Sequence, residues 1–258
     1  MTDLDSLLRW PLDTNGWRHT LLVGTLLVAT LPLAVPSVLL AGYAVRLLRT
    51  EPDDPALPTF ADLRSLAGTG LRAAGIVVAY HLPAAALLAA GTTGVASAYH
   101  RWRTLLLLRP GSIVGAFDLT QLTGAVGVAL LGMALLPVCG YVATVAVTAY
   151  ADEDDVAAAF ALGRLRERVC TAATLRAWLL ASLAVVVSGI CAALLGGASA
   201  AVPAVGSLLT AAVRFYGGLV AVGVWNETRP ADGATDGDTG TGAAKSAATA
   251  DPARHGVS

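Results

Sequence analysis

The chain is poor in charge: Asp, Glu, Lys and Arg together make up 14% of its 258 residues, against about 25% in a soluble domain. Lysine is almost missing, because Lys245 is the single Lys among 17 basic residues. The formal net charge of −1 predicts neither a nucleic-acid partner nor a strongly acidic one. Cysteine is scarce too. Cys139, Cys170 and Cys191 stand far apart with no CxxC or Cys/His spacing, which excludes a metal or disulfide framework of the usual kind. They are expected to be reduced, with Cys139 and Cys191 as small apolar fillers. No HExxH, Walker loop or Ser/Lys or Ser/His pairing is present. The expectation is a protein that is not an enzyme, with no catalytic, cofactor-binding or metal-binding residues. A basic n-region is also missing from Met1–His19, where Asp3, Asp5 and Asp13 face Arg9 and Arg18, so no cleavable signal peptide is expected.

What the chain does have is long apolar runs. Thr123–Tyr150 contains no Asp, Glu, Lys, Arg or His, and as a helix would extend about 42 Å, against a hydrocarbon core of about 30 Å. Within lipid each backbone polar group must find an internal partner, so such runs become helices. The fold class expected is all-α, a polytopic transmembrane helical bundle of about five spans. These are Thr20–Val45, Ala73–Tyr99, Thr123–Tyr150, Ala177–Leu195 and Val202–Trp225. Pro32 and Pro36 interrupt the first, making it either one kinked span or two half-helices in a hairpin, six short spans in all; the kinked span is preferred. Residues 1–19 read as an interfacial segment marked by Trp10 and Trp17. Residues 20–226 form the transmembrane domain. Residues 227–258 form a polar tail that cannot bury a core and is expected to be disordered.

The loops carry two similar patterns. Glu51, Asp53 and Asp54 precede Phe60, Ala61 and Arg64, and Asp152–Asp155 precede Phe160, Ala161 and Arg164, with Gly42-Tyr43 and Gly140-Tyr141 upstream. The pattern suggests a duplicated span–loop–span unit. The acidic clusters lack the alternation and glycine of an EF-hand and read as solvated loops. One face of a five-span arrangement collects Arg46, Arg49, Arg64, Arg72, Arg164, Arg166, Arg168, Arg176 and Arg229; the other collects Arg9, Arg18, Arg101, Arg103 and Arg109. The excess of positive charge places loops 46–72 and 151–176 and the C-terminus in the cytoplasm of a multi-pass cell-membrane protein. A hairpin at the first run would move the N-terminus to the same side.

Two ionisable residues fall within spans. Arg214 lies midway along Val202–Trp225, where an Arg costs about 2.5–3.5 kcal/mol on insertion scales. It is a candidate solute or lipid contact, and the competing reading shifts or breaks the helix at Gly217-Gly218. His81, in Tyr80-His81-Leu82-Pro83, is the second candidate contact; without an intramembrane carboxylate it reads better as a neutral ring bonded to a carbonyl freed by Pro83. Arg164, Arg166 and Arg168 form a candidate lipid-facing basic surface on an amphipathic helix, the alternative being an ordinary solvated face. Small residues such as Gly124, Gly127, Gly132, Gly189, Gly217 and Gly218 suit close helix packing. The partners expected are the lipid bilayer and a homo-oligomer or other membrane proteins. The function expected is a structural or accessory membrane component of otherwise unknown role, the alternative being a transporter or channel for a small neutral or anionic solute.

Several short signatures resemble one family. Trp10-Pro11-Leu12, Trp17, Gly42-Tyr43-Ala44-Val45-Arg46-Leu47-Leu48-Arg49 and Pro58-Thr59-Phe60-Ala61-Asp62-Leu63 are similar to the archaeal membrane proteins called domain of unknown function 4013. So are Ala157–Arg166 and Val202-Pro203-Ala204-Val205-Gly206. The resemblance covers about Leu4–Trp225. It implies a largely haloarchaeal source, in keeping with the acidic, Lys-poor tail. It assigns no activity and therefore no functional residues, and Arg214 departs from the usually uncharged last span.

Overall fold

A computed structural model of the chain describes residues 9–12, 16–30, 34–50, 57–108, 119–199 and 202–228. The expectations for the rest of the N-terminal segment, for Glu51, Asp53, Asp54, Arg109 and Arg229, and for the tail Ala231–Ser258 lie outside the described residues. The described residues are helical without any strand. Helices α1 (Trp17–Ala29) and α2 (Ala34–Leu48) are followed by the long α3 (Leu63–Leu108) and α4 (Leu119–Glu153). A 3-10 turn, Val156–Phe160, leads to α5 (Leu162–Val169), and α6 (Ala172–Ala198) and α7 (Pro203–Thr228) complete the order. Four helices, α3, α4, α6 and α7, are long and apolar enough to cross a membrane. The molecule is an all-helical membrane bundle, as the apolar runs require.

Several features differ from the sequence expectation. The first apolar run is a hairpin and not a kinked span: Trp17 and Leu21 of α1 pack on the cluster that holds Tyr43 and Leu47 of α2, although a continuous helix would hold residues 17 and 47 about 45 Å from one another. Neither arm, of 13 and 15 residues, is a full crossing. Residues 63–72 and 100–108, expected in connections, are the ends of α3, whose 46 residues extend about 69 Å and must project beyond a bilayer. Pro83 and Pro137 are accommodated inside continuous helices. Cys139 is buried as expected, whereas Cys191 is exposed on α6 and fills nothing; all three cysteines are free.

Helices α3 and α4 pack antiparallel in one register. A Cβ at Gly91 would collide with the Ala129 backbone, one at Gly94 with Ala125 Cβ at 2.7 Å, and one at Gly132 with Leu88 N at 2.8 Å. Residue numbers rise on one helix as they fall on the other, and the seam is closed by backbone contact. Gly42 and Gly70 bring α2 equally close to α3. Between α6 and α7 the Val202 N–H donates to Ser199 O at 3.0 Å, and the pair approaches through Gly217 at Ser188. The two arms do little to bury each other's outer faces: Leu130, Leu131, Val186 and Leu194, among many others, remain exposed.

The core is at one end. There Val45, Leu48, Ile76, Val145, Tyr150 and Leu165 form one buried cluster. Tyr43, Leu47, Leu57, Phe60, Leu66, Phe215 and Leu219 form another, with Trp10 and Trp17 packed on it. The end of α2, the start of α3, the end of α4, α5 and the end of α7 thus meet in one collar.

Candidate functional site: an ion-paired collar

The collar is built on four consecutive acids, and each has its own partner. Asp152 accepts from Arg168 at 2.7 Å, Glu153 from Arg164 at 2.6 Å and Asp154 from Arg49 at 2.6 Å. Asp155 accepts from the Ala157 N–H at 3.0 Å and so caps the 3-10 turn. The cluster keeps the solvent exposure expected of it and is also tied to its surroundings. Its geometry depends on Asp154 leaving α4 with φ 51°, a left-handed conformation that Asp tolerates better than most residues. Arg49 also lies over the Tyr150 ring, 5.3 Å from its centroid.

Aromatic residues fasten the same segment to the spans. Phe160 stacks on Tyr80 at 5.6 Å, and the Tyr80 hydroxyl donates to Ala159 O at 2.6 Å. The Tyr141 hydroxyl donates to Val169 O at 2.6 Å, and its ring meets Trp178 edge-on. On the neighbouring loop Phe60 stacks on Tyr43 at 4.3 Å, while Arg46 donates to Thr59 O and Ala61 O. The two loops of the suspected duplication thus share a Phe–Tyr stack at the same end. The tyrosines are not equivalent in the repeat, because Tyr141 is bonded elsewhere.

The sequence candidates do not converge. Arg164 and Arg168 pair with Glu153 and Asp152 at the end of α4, Arg164 and Arg166 are exposed, and Arg168 is half-buried. His81 Nδ1 lies 2.8 Å from Val77 O. A carbonyl only accepts, so Nδ1 carries the proton. Val77 is the His81 i−4 residue, whereas Pro83 frees the carbonyl of Ala79, so the expected partner is displaced by one half-turn. Arg214 is exposed on α7 and has no hydrogen bond or ion pair among the described residues; it does not point into the helix seam. Arg49, Tyr80, Tyr141 and Tyr150 enter the sequence reading only as parts of spans, loops and signatures, not as site candidates. The one available signal was the acid quartet followed by arginines eleven and sixteen positions on.

Chemically the collar is a fastening. Each exposed or half-exposed pair contributes about 0–1 kcal/mol, and each tyrosine–carbonyl bond about 1 kcal/mol. Among the described residues, no group of three or more His, Cys, Asp or Glu could hold a metal ion.

The sequence model of a family described as a protein of unknown function (DUF4013) matches residues 25–197, more than half of the chain. The chain belongs to the DUF4013 family. The match takes in the second arm of the N-terminal hairpin, α3, α4, the collar acids and nearly all of α6. It leaves out two segments that also resembled the family, Trp10–Trp17 and Val202–Gly206, and it leaves out Arg214. No curated protein and no solved structure matches the chain, and DUF4013 membership brings no assigned activity.

Proposed function

We propose that this DUF4013 protein is a non-enzymatic structural or accessory component of the cell membrane, working through association with lipid and with other membrane proteins or further copies of itself. The observation that carries this reading is how the span hydroxyls are used. Thr92, Thr93, Ser97, Thr144 and Ser188 all donate to carbonyls three or four residues back on their own helices. The α3–α4 seam is meanwhile closed by Gly–Ala contact. A solute path would need polar groups turned toward a shared opening. The wide apolar exposure of α3, α4 and α6 suits lipid or partner helices. The excess of arginine supports a cytoplasmic collar, and the hairpin carries the N-terminus to that side. The Arg bias and Lys scarcity support an archaeal, high-salt source.

A second reading, transport of a small neutral or anionic solute, is favoured by one feature, the unpaired Arg214. Reconstitution separates the two. Proteoliposomes should show no chloride, phosphate or glycerol flux above protein-free vesicles, and light scattering of the detergent-solubilised protein should show a defined oligomer or stoichiometric complex. Flux lost on Arg214→Ala would abandon the structural reading.

A further inference from the structure

The outward face of α7 carries more than a stray charge. Ser207, Thr210 and Arg214 are spaced by three and four residues, so they line one face of the helix. Ser207 and Arg214 are exposed, Thr210 is half-buried, and an added Cβ at Gly218, one turn beyond, would meet nothing within 4 Å. Helical side chains lean toward the N-terminus, so the Arg214 guanidinium is carried along this face toward the Pro203 end, past Thr210. The Thr210 hydroxyl is committed to Ala192 O at 3.1 Å across the α6–α7 contact. The Ser207 hydroxyl bonds only its own helix, at Ala204 O, and can rotate to donate outward. The result is a guanidinium followed by a rotatable hydroxyl, open to the exterior on an apolar helix.

A guanidinium in that setting requires an anion. Away from their ends the described spans contain no carboxylate, since the acids in the described helices are Asp152 and Glu153 at the end of α4, Glu167 on α5 and Glu227 at the end of α7. The described spans of a second copy therefore supply none at that depth. Phosphate is the anion that a bilayer always presents, and planar guanidinium binds it through two parallel N–H bonds. We propose that Arg214 and Ser207 form a phosphate site on α7 that holds the headgroup of a phospholipid from the leaflet at the α6–α7 turn, drawing it toward the middle of the helix. Thr210 is a positioning residue that keeps α6 beside the site.

The test is native mass spectrometry of the full-length protein with phosphatidylglycerol, with a diacylglycerol of the same chains, and with inorganic phosphate. The intact protein should retain one more phosphatidylglycerol than Arg214→Gln at matched activation, with Ser207→Ala intermediate and diacylglycerol retained equally by all three. Circular dichroism melting of Arg214→Gln, which removes no described contact, should match the parent and shows that the loss is local. Equal phosphatidylglycerol retention by parent and Arg214→Gln overturns the site. Displacement of the lipid by millimolar inorganic phosphate overturns the lipid assignment in favour of a soluble anion. A protein partner lost on Arg214→Gln with lipid retention unchanged would assign the charge to a partner's carboxylate instead.

Discussion

Arg49 and Asp154, 105 positions apart in the chain, meet at 2.6 Å across the end of the bundle. The same guanidinium covers the Tyr150 ring, so one side chain at the end of α2 fixes both the last turn of α4 and the residue at which the chain leaves it. A pair half open to water is weak alone. Its place is what matters, because it joins the N-terminal hairpin to the α3–α4 arm.

Arg49→Ala should lower stability by about 1–2 kcal/mol, the sum of a surface ion pair and a cation–π contact. Asp154→Ala should lose only the ion-pair share, about 0–1 kcal/mol. Denaturant melts of both single variants and the double variant would measure the coupling, and strict additivity would show that the pair contributes nothing.

Asp154 itself is constrained by backbone as well as charge. With φ 51°, Asp154→Asn and Asp154→Gly should both be tolerated within about 1 kcal/mol, whereas Asp154→Val should cost about 1–2 kcal/mol more, since a β-branched residue is strained there. Equal melting of the three variants would contradict that ordering.

Glycines in α3 and α4 should divide into two groups. Gly91→Ala and Gly132→Ala force a Cβ into the opposing helix and should destabilise the hairpin by about 1–3 kcal/mol. Gly124→Ala and Gly127→Ala meet nothing within 4 Å and should be neutral or stabilising by up to about 1 kcal/mol through helix propensity. Thermal melts in one detergent would show whether the groups separate.

The tyrosine fastenings predict local opening. Tyr80→Phe and Tyr141→Phe each remove a hydroxyl donated to a backbone carbonyl and should cost about 1 kcal/mol. Limited proteolysis should then cut more readily between 154 and 171 with the global melt barely changed. Unaltered cleavage would mean that the stacks and ion pairs hold the segment without the hydroxyls.

The hairpin of α1 and α2 predicts that the N-terminus and Arg166 share a side of the membrane. A protease site placed before Trp17 and a cysteine at position 166 should react from the same face of sealed vesicles. Reaction from opposite faces would restore a kinked single crossing.

Much of this could be read from residues in order. The uncharged run Thr123–Tyr150 gave α4 almost to its ends, and Gly196–Ala201 was short enough to force a tight α6–α7 turn. Residues 63–72 and 100–108 were misread because arginines near a span look the same whether the helix stops or continues into water. Pro32 and Pro36 are compatible with a reversal as well as with the kink preferred from sequence, since removing two backbone donors says where a helix is weakened and not which way the chain then turns.

The requirement that every backbone polar group in lipid be satisfied internally made the class of this protein a property of its sequence: long apolar runs without charge can only be helices there. Sequence also fixed where the few charges lie. Tertiary structure alone decided what they do, because partners such as Arg49 and Asp154 are neighbours only once α2 and α4 meet. It decided equally that Arg214 looks outward, because which side of α7 is buried depends on where α1 and α6 pack against it.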